Sequence, residues 1–176
     1  SLAGMQPYTF SKQDLARENE WKKYSSIYSQ YVEFYHHRLL KNENSNFAKE
    51  YLKNRKLSKE VVDKFKIGYV EKNPNFYEKL KKDFDEKTLV ETGLFYFDEK
   101  RNIYVERFRD RIIFPINSIS GKPIGLGGRT IQENNYLAKY INSPETPFFK
   151  KGSNLYNLDN ARKLSNKIDH IYLVEG

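Results

Sequence analysis

Residues 103–129 read IYVERFRDRIIFPINSISGKPIGLGGR, and this stretch decides the fold class. It contains the apolar run 111–116 and most of a second apolar run, 124–131. Residues 117–123 between the two runs are mostly polar and include a glycine. Two apolar runs on either side of such a turn predict a pair of antiparallel strands. The second half of the chain is therefore predicted to form a sheet.

The chain before this stretch has the pattern of helices. Large apolar residues recur at intervals of three and four through 14–40, which predicts a long helix that Ser11 or Asp14 can cap. Shorter helices are predicted at 47–54, 59–65, 75–83, 86–92 and 159–164, and strands at 67–70, 94–97, 103–105, 139–142 and 171–174. Helices followed by a mostly antiparallel mixed sheet predict an α+β fold.

An aromatic stripe follows one face of the long helix. Its members are Trp21, Tyr24, Tyr28, Tyr31 and Tyr35, continued by Leu39. Rings at this spacing can stack on nucleobases, but we interpret the stripe as part of the hydrophobic core. The adjacent His36 and His37 are interpreted as a surface pair rather than as metal ligands.

Composition limits the class of protein. The chain has 176 residues, a net charge of +8 and a mean hydropathy of -0.83. Its 14 Tyr and 12 Phe exclude a disordered tail and favour one folded domain. The absence of cysteine excludes disulfides, thiolate zinc sites and a cysteine nucleophile. Because no apolar run approaches about 20 residues and the start has no signal-peptide pattern, we expect a cytoplasmic protein with no membrane partner.

Arginine is concentrated in the predicted sheet, where five of the nine arginines fall within 101–129. Arg107, Arg109 and Arg111 alternate, so on a strand their side chains would share one face. Three aligned guanidinium groups favour a phosphate-bearing ligand. The alternative is a solvated face on which the arginines pair with Glu106 and Asp110.

A second basic segment follows the glycine-rich run. The glycines of GLGGR, residues 125–129, match neither a P-loop nor a dinucleotide fingerprint, and we interpret them as a strand bulge. Residues 139–146 read KYINSPET, with Lys150 and Lys151 soon after. A ring, amides and ammonium groups together suit a nucleotide or a single strand. The alternative is a turn around Ser143 and Pro144 with incidental lysines.

Several motifs of the chain, taken together and in sequence order, resemble those of one protein family. They are RFRDR (107–111), FPI (114–116), GLGGR (125–129), KYINSPET (139–146), Phe149 with Lys151-Gly152 and Leu155-Tyr156, and LVEG (173–176). Together with YLKNR (51–55) and FKIGY (65–69), they resemble the bacterial-type replicative DNA primases over residues 12–176.

The resemblance implies a division of the chain. Residues 1–11 are expected to be a cloning remnant or linker, and 12–170 the N-terminal subdomain of the primase RNA polymerase core. Residues 171–176 are expected to begin a truncated Toprim subdomain with a strand. The family also has an upstream zinc-binding domain and a C-terminal helicase-binding domain, which this piece would lack.

The resemblance also implies site residues. A basic ridge that holds template and nucleotides in this family corresponds to Arg55, Arg107, Arg109, Arg111, Arg129, Lys139, Tyr140, Asn142 and Lys151. Glu175 corresponds to a catalytic Toprim acid. No metal site is expected in this piece, since the Mg²⁺ ligands of the family would lie downstream and Zn²⁺ upstream.

The implied function is synthesis of short RNA primers on single-stranded DNA from ribonucleoside triphosphates, with the replicative helicase as a partner. By itself the piece is expected to be a monomer, to bind weakly and to be inactive. Two alternatives stay open: a nucleic-acid or nucleotide-binding module of a mobile element without polymerase activity, and a purely structural basic domain.

Overall fold

A 30-residue helix, α1 (Lys12–Lys41), forms one layer of the computed structural model, which describes residues 11–132, 137–164, 166–167 and 169–174. Ser11 caps it: its hydroxyl accepts the backbone N–H of Asp14 at 3.1 Å, and the Asp14 carboxylate accepts the N–H of Ser11 at 2.9 Å. This reciprocal arrangement satisfies two backbone donors at the helix end. The predicted long helix is confirmed.

The aromatic stripe of α1 lies in the core, as the sequence indicated. Tyr28, Tyr31 and Tyr35 are fully buried. The Tyr28 hydroxyl donates to the carbonyl of Thr92 at 2.9 Å, so its polar end is satisfied although the ring is inside. Burial raises the pKa of Tyr28 well above its ordinary value. The stripe therefore packs the domain and is not free to stack on bases.

The remaining elements are short. The helices are α2 (Asn46–Asn54), α3 (Lys59–Lys64), α4 (Phe76–Leu80), α5 (Glu86–Glu91) and α6 (Leu158–Leu164), with 3₁₀ turns at Glu43–Ser45 and Lys151–Ser153. The strands are β1 (Gly68–Val70), β2 (Phe95–Asp98), β3 (Ile103–Glu106), β4 (Arg111–Asn117), β5 (Pro123–Arg129) and β6 (Tyr140–Asn142). Ser58 and Asp85 cap α3 and α5 by accepting backbone N–H groups.

Four strands form the main sheet in the order β1-β4-β5-β6, and β2 with β3 forms a separate hairpin. Every pairing among the described strands is antiparallel. Ile112 of β4 lies opposite Arg129 of β5, which in turn lies opposite Tyr140 of β6. The predicted α+β fold is confirmed.

The main sheet is covered unequally on its two faces. One face carries Val70, Ile113 and Leu126 into a core shared with the aromatic stripe of α1. The other carries Tyr69 and Ile112 into a smaller core built with α2, α3 and the end of α1. The part of this second face formed by β5 and β6 is only partly covered, because Tyr140 is 59% exposed.

The glycines of β5 make room for rings. A Cβ on Gly128 would lie 2.6 Å from the ring of Phe108, and one on Gly125 would lie 3.1 Å from the ring of Phe149. The register also shifts between Ile116 and Asn117, on the strand beside Gly125. The interpretation as a bulge was therefore incomplete, since close ring packing is the second reason for these glycines.

Two sequence-based predictions need correction. His36 is 6% exposed, and its Nδ1 lies 2.7 Å from the carbonyl oxygen of Ile67, so it is a buried core histidine; of the adjacent pair, His37 is the exposed member. Residues 171–174 form no strand, since none of the described residues pairs with them, and all four side chains are exposed. None of the helices within the described ranges is long and apolar enough to cross a membrane.

Candidate nucleic-acid interface

The partly covered face of the sheet brings an arginine and a tyrosine together across two strands. Arg129 and Tyr140 are directly opposite in the β5–β6 register, so their side chains leave the same face. Arg129 donates from Nη1 to the Tyr140 hydroxyl at 2.6 Å. Asn142 is opposite Gly127, two residues along, and therefore joins the same face.

Helix α2 extends this pair into a row of alternating cations and rings. The guanidinium carbon of Arg129 lies 5.1 Å from the ring centroids of both Tyr140 and Tyr51. Arg55 directly follows α2, one turn after Tyr51, and its guanidinium carbon lies 5.6 Å from the ring centroid of Tyr51. We call Arg55, Tyr51, Arg129 and Tyr140 the arginine–tyrosine row.

The arginine–tyrosine row has the chemistry of a single-strand interface. Rings beside the guanidinium groups fix their planes by cation–π attraction. The Arg129 Nε is buried and has no hydrogen-bond partner among the described residues, whereas the exposed Arg55 can offer its guanidinium donors to an incoming acceptor. Phosphate oxygens match guanidinium donors, and an exposed ring such as Tyr140 can stack on a base.

An apolar cleft adjoins the arginine–tyrosine row. It encloses about 460 Å³ and is lined by Leu57, Val61, Phe65, Ile67, Phe114, Tyr140 and Tyr156. The rings of Phe65 and Tyr156 are nearly parallel, with centroids 6.2 Å apart. Tyr140 therefore presents its ring to an apolar surface as well as its hydroxyl to Arg129.

Arg111 supports the interface from inside. It is 7% exposed, and it donates to the carbonyls of Ala138 at 2.9 Å and Lys139 at 3.3 Å. Burial lowers the pKa of Arg111, while Asp110 opposes that shift. These two bonds hold the chain that enters β6, so Arg111 positions Tyr140 and is not itself open to a phosphate.

The predicted common face of Arg107, Arg109 and Arg111 is wrong. Residues 107–110 form a turn, in which Asp110 has a φ of 59°, and only Arg111 lies on a strand. Arg107 donates from Nε to the carbonyl of Gly93 at 2.7 Å. Arg109 lines a separate polar pocket of about 230 Å³, together with Lys72 and Arg101.

The alternative prediction was that these arginines form ion pairs with Glu106 and Asp110. The structure shows no such ion pair among these residues, all of which it describes. The Glu106 carboxylate is buried and accepts the Tyr35 hydroxyl at 2.6 Å and the backbone N–H of Phe76 at 2.7 Å. Asp110 accepts the hydroxyl of Tyr69 at 2.9 Å. Burial raises the pKa of Glu106, and the hydrogen bonds from Tyr35 and Phe76 oppose that shift.

The remaining predicted residues lie on the surface. Lys139, Asn142 and Lys151 are exposed, and the backbone N–H of Lys151 donates to Glu145 at 3.2 Å. The structure thus gathers Arg55, Arg129, Tyr140 and Asn142 on one face, whereas Arg107 and Arg109 do not join their row. Tyr51 was missed, although its place one turn before Arg55 in YLKNR was a usable signal.

The described residues do not fit a metal ion. They contain no group of three or more His, Asp or Glu side chains close enough to hold one. Glu175, the predicted catalytic acid, lies outside the described residues.

Comparison with known proteins identifies the relatives of the chain. Residues 34–162 match the family model described as DNA primase catalytic core, N-terminal domain. The chain is 38% identical over 146 residues to the DNA primase of Staphylococcus epidermidis, which covers 82% of the chain and 24% of that protein. It is 37% identical over 165 residues to the DNA primase of Geobacillus stearothermophilus, covering 93% of the chain and 27% of that protein.

Solved structures agree in fold. A DnaG primase catalytic domain bound to single-stranded DNA superposes with a TM-score of 0.80 at 30% identity, covering 90% of the chain and 49% of that structure. A DNA primase domain from Pseudomonas aeruginosa gives 0.78 at 35% identity, covering 87% of the chain and 48% of that structure. The chain thus spans about a quarter of the curated relatives and about half of the structural ones.

Proposed function

The chain belongs to the family of N-terminal domains of DNA primase catalytic cores, and we propose that it supplies the template- and nucleotide-holding surface of such a primase. The whole protein would join ribonucleoside triphosphates into short RNA primers on single-stranded DNA. Residues 12–170 would form the holding surface, and 171–176 would lead into the Toprim subdomain.

The arginine–tyrosine row carries this proposal. Its guanidinium carbons lie 5.1–5.6 Å from two rings, that of Tyr51 on α2 and the exposed ring of Tyr140 on β6, so one surface offers cations to phosphates and a ring to bases. A relative of the same fold binds single-stranded DNA. Lys139, Asn142 and Lys151 are exposed on β6 or near it in sequence and would extend the row, and Arg107 and Arg109 would contact other parts of the nucleic acid.

Catalysis would need groups that the described residues do not supply. Phosphoryl transfer of this kind uses Mg²⁺ ions held by carboxylates, and the described residues contain no such cluster. We propose that these ligands belong to the rest of the polymerase core, with Glu175 beside them, and that Zn²⁺ binds an upstream domain. The chain alone would then be inactive. A cytoplasmic site of action and a helicase partner complete the proposal.

The alternative of a mobile-element module has no support among the relatives reported above, which are all DNA primases or primase domains. A purely structural domain would not need an exposed arginine, Arg55, and an exposed ring, Tyr140, in one row.

Binding to labelled single-stranded DNA, followed by fluorescence anisotropy across a salt series, tests the proposal. We expect the double variant Arg55→Ala/Arg129→Ala to lose most of its affinity. Each phosphate contact contributes about -0.7 to the slope of log affinity against log salt, so loss of two contacts should flatten the slope by about 1.4.

The matched control is Arg17→Ala/Lys82→Ala, which removes the same charge from exposed positions outside the arginine–tyrosine row. It should retain nearly the native affinity and slope. Equal losses in the two double variants would mean that diffuse charge attracts the DNA, and the proposed surface would be wrong.

A further inference from the structure

A second concave surface lies against the face of α2 that carries Lys49, Leu52 and Lys53, and it shares Leu57 with the cleft beside the arginine–tyrosine row. It encloses about 430 Å³, within the usual range of binding pockets. Its apolar lining comes from the end of α1, from α2, and from α3 with the turn before it, through Leu39, Leu40, Leu52, Leu57 and Val62. We call this surface the lysine-rimmed groove.

The charges around this groove have one sign. Lys49 and Lys53 of α2 and Lys59 of α3 line it, and no acidic residue does. Neither Lys53 nor Lys59 forms an ion pair with any of the described residues. Lys49 donates only to neutral oxygens, the carbonyl of Asn42 at 3.3 Å and the side chain of Asn46 at 3.1 Å.

Uncompensated cations beside an apolar floor favour an occupant of complementary character. Large apolar side chains of an occupant would leave water on this floor and cover the half-buried Leu40 and Leu57. Leu39, Leu52 and Val62 beneath them are already buried. Carboxylates on the same occupant would pair with the lysines and fix its direction. The lysines stand on two different helices, so several separated carboxylates are needed to match them, and a single-headed amphiphile provides only one.

We propose that the lysine-rimmed groove binds an acidic amphipathic segment of a partner protein, with apolar side chains on the leucine floor and carboxylates at the rim. Insertion of an apolar helix face into a groove is a common mode of peptide recognition. Lys49, Leu52 and Lys53 of α2 line this groove, whereas Tyr51 of the same helix belongs to the arginine–tyrosine row. The partner would therefore bind beside the nucleic acid without displacing it.

The test uses three labelled helical peptides of equal length. The first combines leucines at helical spacing with Glu on the other positions, the second replaces Glu by Lys, and the third keeps Glu but replaces leucine by Ala. Anisotropy measures binding of each to the native chain at about 0.15 M salt, which screens long-range attraction. Methyl NMR shifts of Leu39, Leu52 and Val62 report whether the groove is the binding site.

We expect binding of the Glu–Leu peptide only, with methyl shifts in the groove. Lys53→Glu/Lys59→Glu should weaken it at least fivefold, whereas Lys82→Glu/Lys100→Glu, the same charge change at exposed positions elsewhere, should leave it unchanged. Single-stranded DNA should not compete. Absence of binding, equal binding by both double variants, binding of the Glu–Ala peptide, or binding of laurate in place of the peptide would each overturn the proposal.

Discussion

Arg129 and Tyr140 face each other across β5 and β6 and share a 2.6 Å hydrogen bond from the guanidinium group to the phenol oxygen. This bond ties the most exposed aromatic ring of the sheet to a residue that is itself placed between two rings. The orientation of the cation and that of the ring are therefore set together, before any ligand arrives.

From the contact between Arg129 and Tyr140 we expect two substitutions of Tyr140 to differ in their effect on DNA binding. Tyr140→Phe keeps the ring and loses the bond to Arg129, so affinity for single-stranded DNA should fall about two- to threefold. Tyr140→Ala also loses the stacking surface, which is worth about 1–3 kcal/mol per base, so affinity should fall about tenfold. Anisotropy measures both, and equal losses would show that the ring does not contact the DNA.

Removal of the Arg111 side chain is predicted to cause a local loss of order in the segment that it holds. Arg111→Leu removes the donors to the carbonyls of Ala138 and Lys139, so hydrogen exchange in residues 137–142 should accelerate. The unfolding free energy should fall by about 1–3 kcal/mol, because two carbonyls lose their partners. If Arg111 instead contacted phosphate directly, the same variant would lose DNA affinity without any change in exchange.

The buried carboxylate of Glu106 is predicted to make the stability of the fold depend on pH. Because burial raises its pKa in the folded chain, the folded state binds more protons than the unfolded state above the ordinary glutamate pKa. The Glu106 contribution to the unfolding free energy therefore falls as pH rises through the interval between the two pKa values.

The substitution Glu106→Gln isolates this effect, since glutamine does not ionise. Urea denaturation should show that the variant is more stable relative to the native chain at pH 7 than at pH 4, because only the native chain loses the Glu106 contribution as pH rises. A difference that did not change with pH would refute the raised pKa.

A side chain at Gly128 is predicted to clash with the core. Gly128→Ala would place a methyl group 2.6 Å from the buried ring of Phe108, and we expect a loss of about 1–3 kcal/mol in thermal or urea unfolding. Gly152→Ala is the matched control, because a methyl group there meets no atom within 4 Å. Similar costs for the two variants would contradict the packing explanation.

Local patterns predicted the elements well where local physics decides them. The spacing of Tyr28, Tyr31 and Tyr35 indicated both the helix and its buried face, and Ser11 marked the start of that helix. The four sheet strands and the hairpin also lie close to their predicted ranges. The exception is 171–174, since a strand depends on a partner that its own sequence does not contain.

The candidate site was harder to predict because it depends on packing between distant segments. Alternation placed Arg107, Arg109 and Arg111 on one strand, but the left-handed backbone at Asp110 ends that alternation, and burial converts Arg111 into an internal support. Tyr51 and Arg129 are far apart in the chain and meet only because α2 packs on the sheet. No spacing rule along the sequence connects them.

Helix α1 has a consequence for how the domain unfolds. Its 30 residues extend about 45 Å at the usual rise per residue, and its buried face contributes Tyr24 through Tyr35 to one hydrophobic core and Leu39 to the other. Neither core retains its packing if the helix melts. The two hydrophobic cores should therefore unfold in a single cooperative transition. A truncation within α1 should abolish the packing of both cores together.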